Sequence, residues 1–175
     1  VGQYNAGSNA EFSVGEYWPT DGYSSDAWGT EIKNWISATA SNGGQKSKAF
    51  DFALKGAMNT VFGNKGSNIG NSKYSLLADT ANLIMSQPED AVTFVDNHDT
   101  GSTQNHWALN TNAVGTAYAF ILTHPGYPCV AWQHYFTYAE SGSIVDPQQY
   151  IGGSTVPETS NTYRKHIDYL IDLRN

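Results

Sequence analysis

A strand-like apolar run followed by a helix-like stretch occurs four times in this chain, ~40 residues apart, and that alternation restricts the fold more than any other feature. The first run is FSVG at 12–15. A loop rich in Gly, Asp and Ser follows, then a helical pattern over 26–40 with Trp28, Ile32, Trp35 and Ile36 on one face. The second run, AFDFAL at 49–54, leads through a Gly- and Asn-rich loop to a helix expected over 75–86. Its core candidates are Leu76, Leu77, Leu83 and Ile84, and Pro88 lies beyond its end. The third run, AVTFV at 91–95, enters Asp96-Asn97-His98-Asp99 ahead of a helix over 111–123 that stops at His124-Pro125-Gly126. The fourth, PCVAW at 128–132, precedes a long polar loop and an amphipathic helix over 163–174 carrying Ile167, Leu170, Ile171 and Leu173. Near-continuous apolar strands joined by helices make parallel sheets covered by those helices. Two architectures satisfy this, an open doubly wound sheet and part of a (β/α)8 barrel. No GxGxxG or GxxxxGK[ST] follows any strand, which takes support away from the phosphate-cradling open sheets.

The 175 residues suffice for one globular core. A net charge of −7 without a Lys/Arg cluster argues against nucleic acid as a partner. No stretch approaches the ~20 apolar residues of a membrane span, which argues against a membrane partner. Aromatic residues make up 13% of the chain against 14% charged residues, with 5 Trp and 11 Tyr. Such rings pack cores, and they also serve in clefts as platforms for flat apolar faces such as those of sugars. Cys129, within PCVAW, reads as a small buried hydrophobe, and a single cysteine forms no internal disulfide. Many Asn, Ser, Thr and Gly residues with few charges suit a secreted enzyme.

In both architectures ligands bind where the strands end and the following loops converge. The reactive residues just after the apolar runs are Glu16, Lys55, the Asp96–Asp99 group, and Gln133 with His134. Glu16 precedes Tyr17-Trp18. A carboxyl beside aromatic rings is expected to be partly desolvated, which favours the protonated form that a general acid needs, although an exposed loop carboxylate would read the same way. Asn97-His98-Asp99 is the densest polar group; capping of a following helix is its structural alternative. His98 could donate to a hydroxylated ligand and Asp99 could face a developing positive charge. Two carboxylates on neighbouring strand ends suggest glycoside hydrolysis, with Asp99 as nucleophile on this reasoning alone. Lys55 has two readings, a helix-start residue pointing outward and a ligand contact. Asp51, between two Phe residues, is expected mid-strand and pointing into a barrel interior. The 5 His residues are scattered without HExxH spacing, so no metal site is expected in the chain itself. No GxSxG elbow is present.

FSVGEYW (12–18) and TFVDNHDTGSTQ (93–104) resemble two signature segments of the alpha-amylase family of glycoside hydrolases, those closing barrel strands five and seven. Between and after them, FDFALKGAM (50–58) resembles the strand-six segment and AYAFILTHPGYPCVAWQHYF (117–136) resembles helix seven, strand eight and its loop. FDFALK, AVTFVDNHDTG and HWAL look like maltotetraose-forming bacterial amylases, while GSTQ and LTHPG look like plant-type alpha-amylases. The resemblance implies a (β/α)8 TIM-barrel of which residues 1–175 supply strands five to eight with their helices, as the C-terminal half of the catalytic domain of a longer chain. It implies retaining hydrolysis of α-1,4-glucosidic bonds in starch and maltooligosaccharides, with Glu16 as acid/base and Asp99 as the carboxylate that orients sugar hydroxyls and stabilises the transition state. That overrides the nucleophile reading of Asp99. His98 would hydrogen-bond the sugar to the left of the cleaved bond, and Trp18 and Tyr17 would border the subsite to its right. The family nucleophile lies in a segment like GxRxDxxK at the end of strand four, and the 175 residues contain none. Val1-Gly2-Gln3-Tyr4 would fit the end of helix four, and calcium, with ligands ahead of residue 1, is implied as cofactor. A full barrel takes roughly 250 residues, so four strands in 175 amount to half of one. The alternatives kept open are a non-catalytic glucan-binding half-barrel and a related maltooligosaccharide-forming exo-amylase, transferase or isomerase.

Overall fold

The computed structural model describes residues 7–8, 10–41, 43–67, 73–101, 106–136 and 162–175. The expected helix end at residues 1–4, the GSTQ tail from 102 and the polar loop over 137–161 lie outside them. Among the described residues four strands, β1 (Val14–Gly15), β2 (Lys48–Phe50), β3 (Ala91–Phe94) and β4 (Tyr127–Cys129), form one sheet in the order β1-β2-β3-β4, every adjacent pair parallel. Sequential parallel neighbours require a crossover between strands, and the helices supply it.

Helix α1 (Ser25–Thr39) links β1 to β2 and buries Trp28, Ile32 and Ile36, the i, i+4, i+8 stripe read from the sequence. Helix α2 (Phe52–Phe62) departs from the expectation, which carried a strand through residue 54. Asp51 ends the strand instead: its carboxylate accepts a hydrogen bond from the Leu54 amide at 3.0 Å and caps the helix. The alternating FDFAL read as a strand, but α2 is buried from Phe52 through Asn59, and a helix covered all round shows no apolar stripe to betray its period. Asp51 therefore faces the helix layer, where it also accepts from the Ile84 amide at 2.9 Å, and not a barrel interior.

The expected helix over 75–86 is broken into a 3-10 turn (Tyr74–Ala78) and a single turn, α3 (Leu83–Ser86). Two polar side chains between them capture the backbone: Asp79 accepts from the Ala81 amide, and Asn82 donates to the carbonyls of Leu76 and Leu77. Helix α4 (Val114–Thr123) follows a 3-10 turn at Thr111–Ala113, and the fourth strand stops at Cys129 because Trp132 opens a short helix, α5 (Trp132–Phe136). Helix α6 (Thr162–Arg174) packs on α4 through Ile167 and Leu170, and the Arg174 guanidinium donates to the carbonyls of Leu122, His124 and Gly126 at the α4 terminus. Leu173, the last apolar residue of that helix, is 60% exposed.

One face of the sheet lies under these helices. On the other, Phe12, Val14 and Tyr127 are exposed, and so is Cys129, contrary to the buried-hydrophobe reading. Cys129 is in register with Phe94 but lies on the terminal strand of the described sheet.

Asp51→Ala removes the cap of α2 and leaves the Ile84 amide without its acceptor. The expected cost is about 2–4 kcal/mol, read as a lowered urea midpoint with the m-value unchanged.

Candidate active site

The C-terminal ends of the strands carry a buried polar layer with an exposed one above it. In the buried layer the Lys55 ammonium of α2 meets the Asp96 carboxylate just beyond β3 at 2.6 Å, with side-chain exposures of 0% and 3%. Lys55 thus opens a helix as expected, but it points inward and has no surface to offer a ligand. Burial pulls its ammonium below the usual lysine range, and Asp96 pulls the other way. Asp96 also accepts from the Thr100 hydroxyl and the Leu109 amide, each at 3.3 Å. His134 of α5 approaches its second oxygen at 3.6 Å.

The Tyr118 hydroxyl accepts from the Ala131 amide at 3.1 Å and lies 2.9 Å from His134 Nδ1. A neutral ring with its proton on Nε2 would face the Asp96 carboxylate, which only accepts, and would leave Nδ1 to accept from the Tyr118 hydroxyl. Burial lowers His134 to about 4, opposed by Asp96 and reinforced by Lys55, so the ring is neutral at pH 7. By position Gln133-His134 suits a site but has no partner in the sequence; Asp96, just past β3, and Tyr118 of α4 supply the partners of His134.

The exposed layer begins with the turn after β3. The Asn97 side-chain oxygen accepts from the amides of Asp99 (3.1 Å) and Thr100 (2.8 Å), and its own amide donates to the Thr100 hydroxyl at 2.9 Å. Gly101 closes the turn through its amide to the Asn97 carbonyl. A Cβ on Gly101 would lie 2.4 Å from that of Asp96, so glycine is needed there for close approach. This turn holds up His98, whose side chain is 71% exposed, and Asp99, at 28%, with His98 Nε2 3.5 Å from Asp99 Oδ2. The Asn97 side-chain NH2 reaches across β2 to Glu16 Oε1 at 3.2 Å. Glu16 is exposed and not desolvated by its aromatic neighbours as expected.

Those neighbours diverge. Trp18 stacks between Phe52 (4.9 Å) and Trp107 (6.2 Å) and, with Tyr23, Trp28, Asp21 and His106, lines a pocket of about 520 Å3. Tyr17 turns instead onto α1, where it stacks on Trp35 at 6.3 Å and donates to Glu31 at 3.1 Å. That bond raises its phenol above the ordinary value. Gly15 permits this layout, since a Cβ there would lie 2.3 Å from the Trp35 ring. The structure therefore gathers Glu16, His98 and Asp99 on one edge, with Trp18 beside them, and separates Tyr17 and Lys55 from them.

No protein-family model matches the chain. It is 39% identical over 152 residues to probable alpha-amylase 2 of Arabidopsis thaliana, covering 81% of this chain and 34% of that protein. It is 38% identical over 138 residues to glucan 1,4-alpha-maltotetraohydrolase of Stutzerimonas stutzeri, covering 71% of this chain and 22% of that one. The chain belongs to the alpha-amylase family. It spans about a third or less of the length of these two family members. Among solved structures it shares its fold with part of the gamma-CGTase of Alkalophilic bacillus clarkii, with a TM-score of 0.51 and 22% identity over 93% of this chain and 22% of that chain. Among the described residues no helix is long and apolar enough to cross a membrane.

Two measurements probe the buried layer of this alpha-amylase family chain. Lys55→Met leaves the Asp96 charge buried without its cation and is expected to cost about 3–5 kcal/mol, whereas Lys55→Met combined with Asp96→Asn costs less than half of that in chemical denaturation. His134 stays neutral in the folded chain down to about pH 4, while in the unfolded chain it protonates near 6.5. The unfolded state therefore binds more protons between these values, and stability falls as pH drops through that window by up to about 1.4 kcal/mol per pH unit. His134→Gln should remove that component of the slope in denaturation midpoints measured from pH 7.5 to 4.5.

Proposed function

We propose that this chain supplies the acid/base half of a retaining alpha-amylase acting on α-1,4-linked glucans, as strands five to eight of a (β/α)8 barrel over residues 1–175. The observation that carries the reading is the meeting of Glu16 from the β1 end with the Asn97–Asp99 turn from the β3 end through the 3.2 Å Asn97–Glu16 hydrogen bond. In the proposed reaction Glu16 protonates the glycosidic oxygen as the bond to the anomeric carbon breaks, then takes a proton from the water that releases the sugar. Asp99 faces the positive charge that develops on the sugar ring, and His98 donates to a sugar hydroxyl beside it. The half-exposed rings of Trp18 and Trp107 offer a stacking surface next to Glu16.

The second carboxylate, the nucleophile, is expected from a GxRxDxxK-like segment encoded ahead of Val1, on the other half of the barrel. The exposed sheet face of Phe12, Val14 and Tyr127 supports that arrangement, since it matches the lining of a closed barrel. Among the described residues no group of three or more His, Cys, Asp or Glu could hold a metal ion. Calcium, with ligands ahead of residue 1, is proposed on the family resemblance alone, and the steps above use this chain's own side chains. Starch and maltooligosaccharides are the proposed substrates, and a secreted location is proposed on composition.

In the full-length gene product, Glu16→Gln is expected to lower kcat on soluble starch by at least ~10²-fold, and activity near wild type would remove Glu16 from this role. The lack of a nucleophile segment in the 175 residues favours a second reading for the isolated chain, glucan binding without catalysis. Reducing-sugar release from starch by the isolated chain would defeat that second reading.

A further inference from the structure

We infer that Asn97 is a positioning residue for the reaction, a clamp that fixes the Glu16 carboxyl in the orientation from which it donates its proton. The inference rests on the assignment of Glu16 as acid/base. Glu16 stands just past the two-residue strand β1 and is exposed, so its own segment does little to restrict its rotamers. The partner it finds is rigid.

Asn97 has a single side-chain oxygen, and two amides, those of Asp99 and Thr100, already occupy it. That pair of bonds settles which end of the amide faces which way: the NH2 points outward, toward Glu16 Oε1. The Asn97 backbone is fixed in turn. Its amide donates to the Thr100 hydroxyl, that hydroxyl donates to Asp96, and Asp96 is held by the buried Lys55 ammonium. A run of hydrogen bonds thus leads from α2, buried in the core, through the turn after β3 to the exposed carboxyl at the β1 end. Holding an acid within a fraction of an ångström of the leaving oxygen is where such support counts.

The same geometry supplies a discriminating variant. Asn97→Asp keeps the oxygen that accepts from the Asp99 and Thr100 amides and so keeps the turn, but it replaces the NH2 facing Glu16 with a second oxygen. A misplaced acid matters when the leaving group is a sugar alkoxide that must be protonated, and matters little when the leaving group departs as a stable anion. In the full-length gene product, kcat and kcat/KM should be measured on maltooligosaccharides and on α-maltosyl fluoride for wild type, Asn97→Asp and Glu16→Gln, with thermal unfolding as a check on folding. The clamp predicts that Asn97→Asp loses roughly tenfold or more in kcat on maltooligosaccharides with KM within about twofold, and less than about threefold in kcat/KM on the fluoride, the parameter that leaves out the later step in which Glu16 acts as base toward water.

Glu16→Gln should show the same pattern in stronger form. Equal losses of Asn97→Asp on both substrates would overturn the clamp in favour of a general structural role, and so would a loss confined to KM. If Glu16→Gln shows the pattern and Asn97→Asp shows no loss, the clamp fails and the acid/base assignment stands. If Glu16→Gln keeps wild-type activity on maltooligosaccharides, the assignment fails and the clamp with it.

Discussion

Lys55 and Asp96 meet at 2.6 Å with almost no exposed surface, and three of the four strand ends are tied together through that contact. Lys55 belongs to the first turn of the helix after β2, Asp96 to the residues just past β3, and His134 to the helix after β4. Removing two charges from water is costly, and the cost is offset only when both ions are well paired and their remaining hydrogen-bonding capacity is used. Asp96 meets that condition with Lys55, the Thr100 hydroxyl and the Leu109 amide. Any displacement of α2 relative to β3 would strand a buried charge, so the pair specifies the register of the site as well as holding it.

That buried layer explains how exposed groups can be placed with some precision. Glu16 and His98 both stand in solvent, and exposed side chains have little packing to confine them. The Asn97–Gly101 turn is instead confined from beneath, by Asp96 against Gly101 and by the Thr100 hydroxyl between Asp96 and the Asn97 amide. Lys55 extends the same support sideways, since its ammonium lies 5.6 Å from the ring centre of Trp107, one wall of the aromatic pocket. The carboxyl edge and the aromatic pocket therefore share one foundation.

Much of the fold was legible in the chain because amphipathic periodicity and strand-end position are local signals. The Trp28, Ile32, Ile36 stripe gave α1 to within a residue, and Ile167 with Leu170 gave α6. The second unit was not legible. Helix α2 is buried on every side and starts one residue after its strand, so it has neither a polar face nor a loop to mark it. The helix expected over 75–86 failed for the opposite reason: its apolar spacing was right, but Asp79 and Asn82 offered the backbone partners that ended it. At the candidate site, Glu16, His98 and Asp99 stand out by strand-end position, whereas Asn97 belongs to the same polar group without a role of its own, because its bond to Glu16 joins residues 81 positions apart. Tyr17 was misplaced because adjacent residues leaving a strand point to opposite sides, and only the packing of Trp35 beneath Gly15 decides which side is which.

By itself the sequence determined that strands and helices alternate, that the strands are parallel, and that carboxylates stand at two strand ends beside aromatic rings. These follow from periodicity and order along the chain, which need no knowledge of distant contacts. The tertiary structure alone decided that Lys55 is a buried counter-ion and not a ligand contact, that His134 is a neutral member of the same network, and that Asn97 faces Glu16. Each of these depends on which groups meet after the chain has crossed over the sheet, and on how far water is excluded where they meet. Charge, hydrogen bonding and burial across such distances leave no periodic trace in the residues themselves.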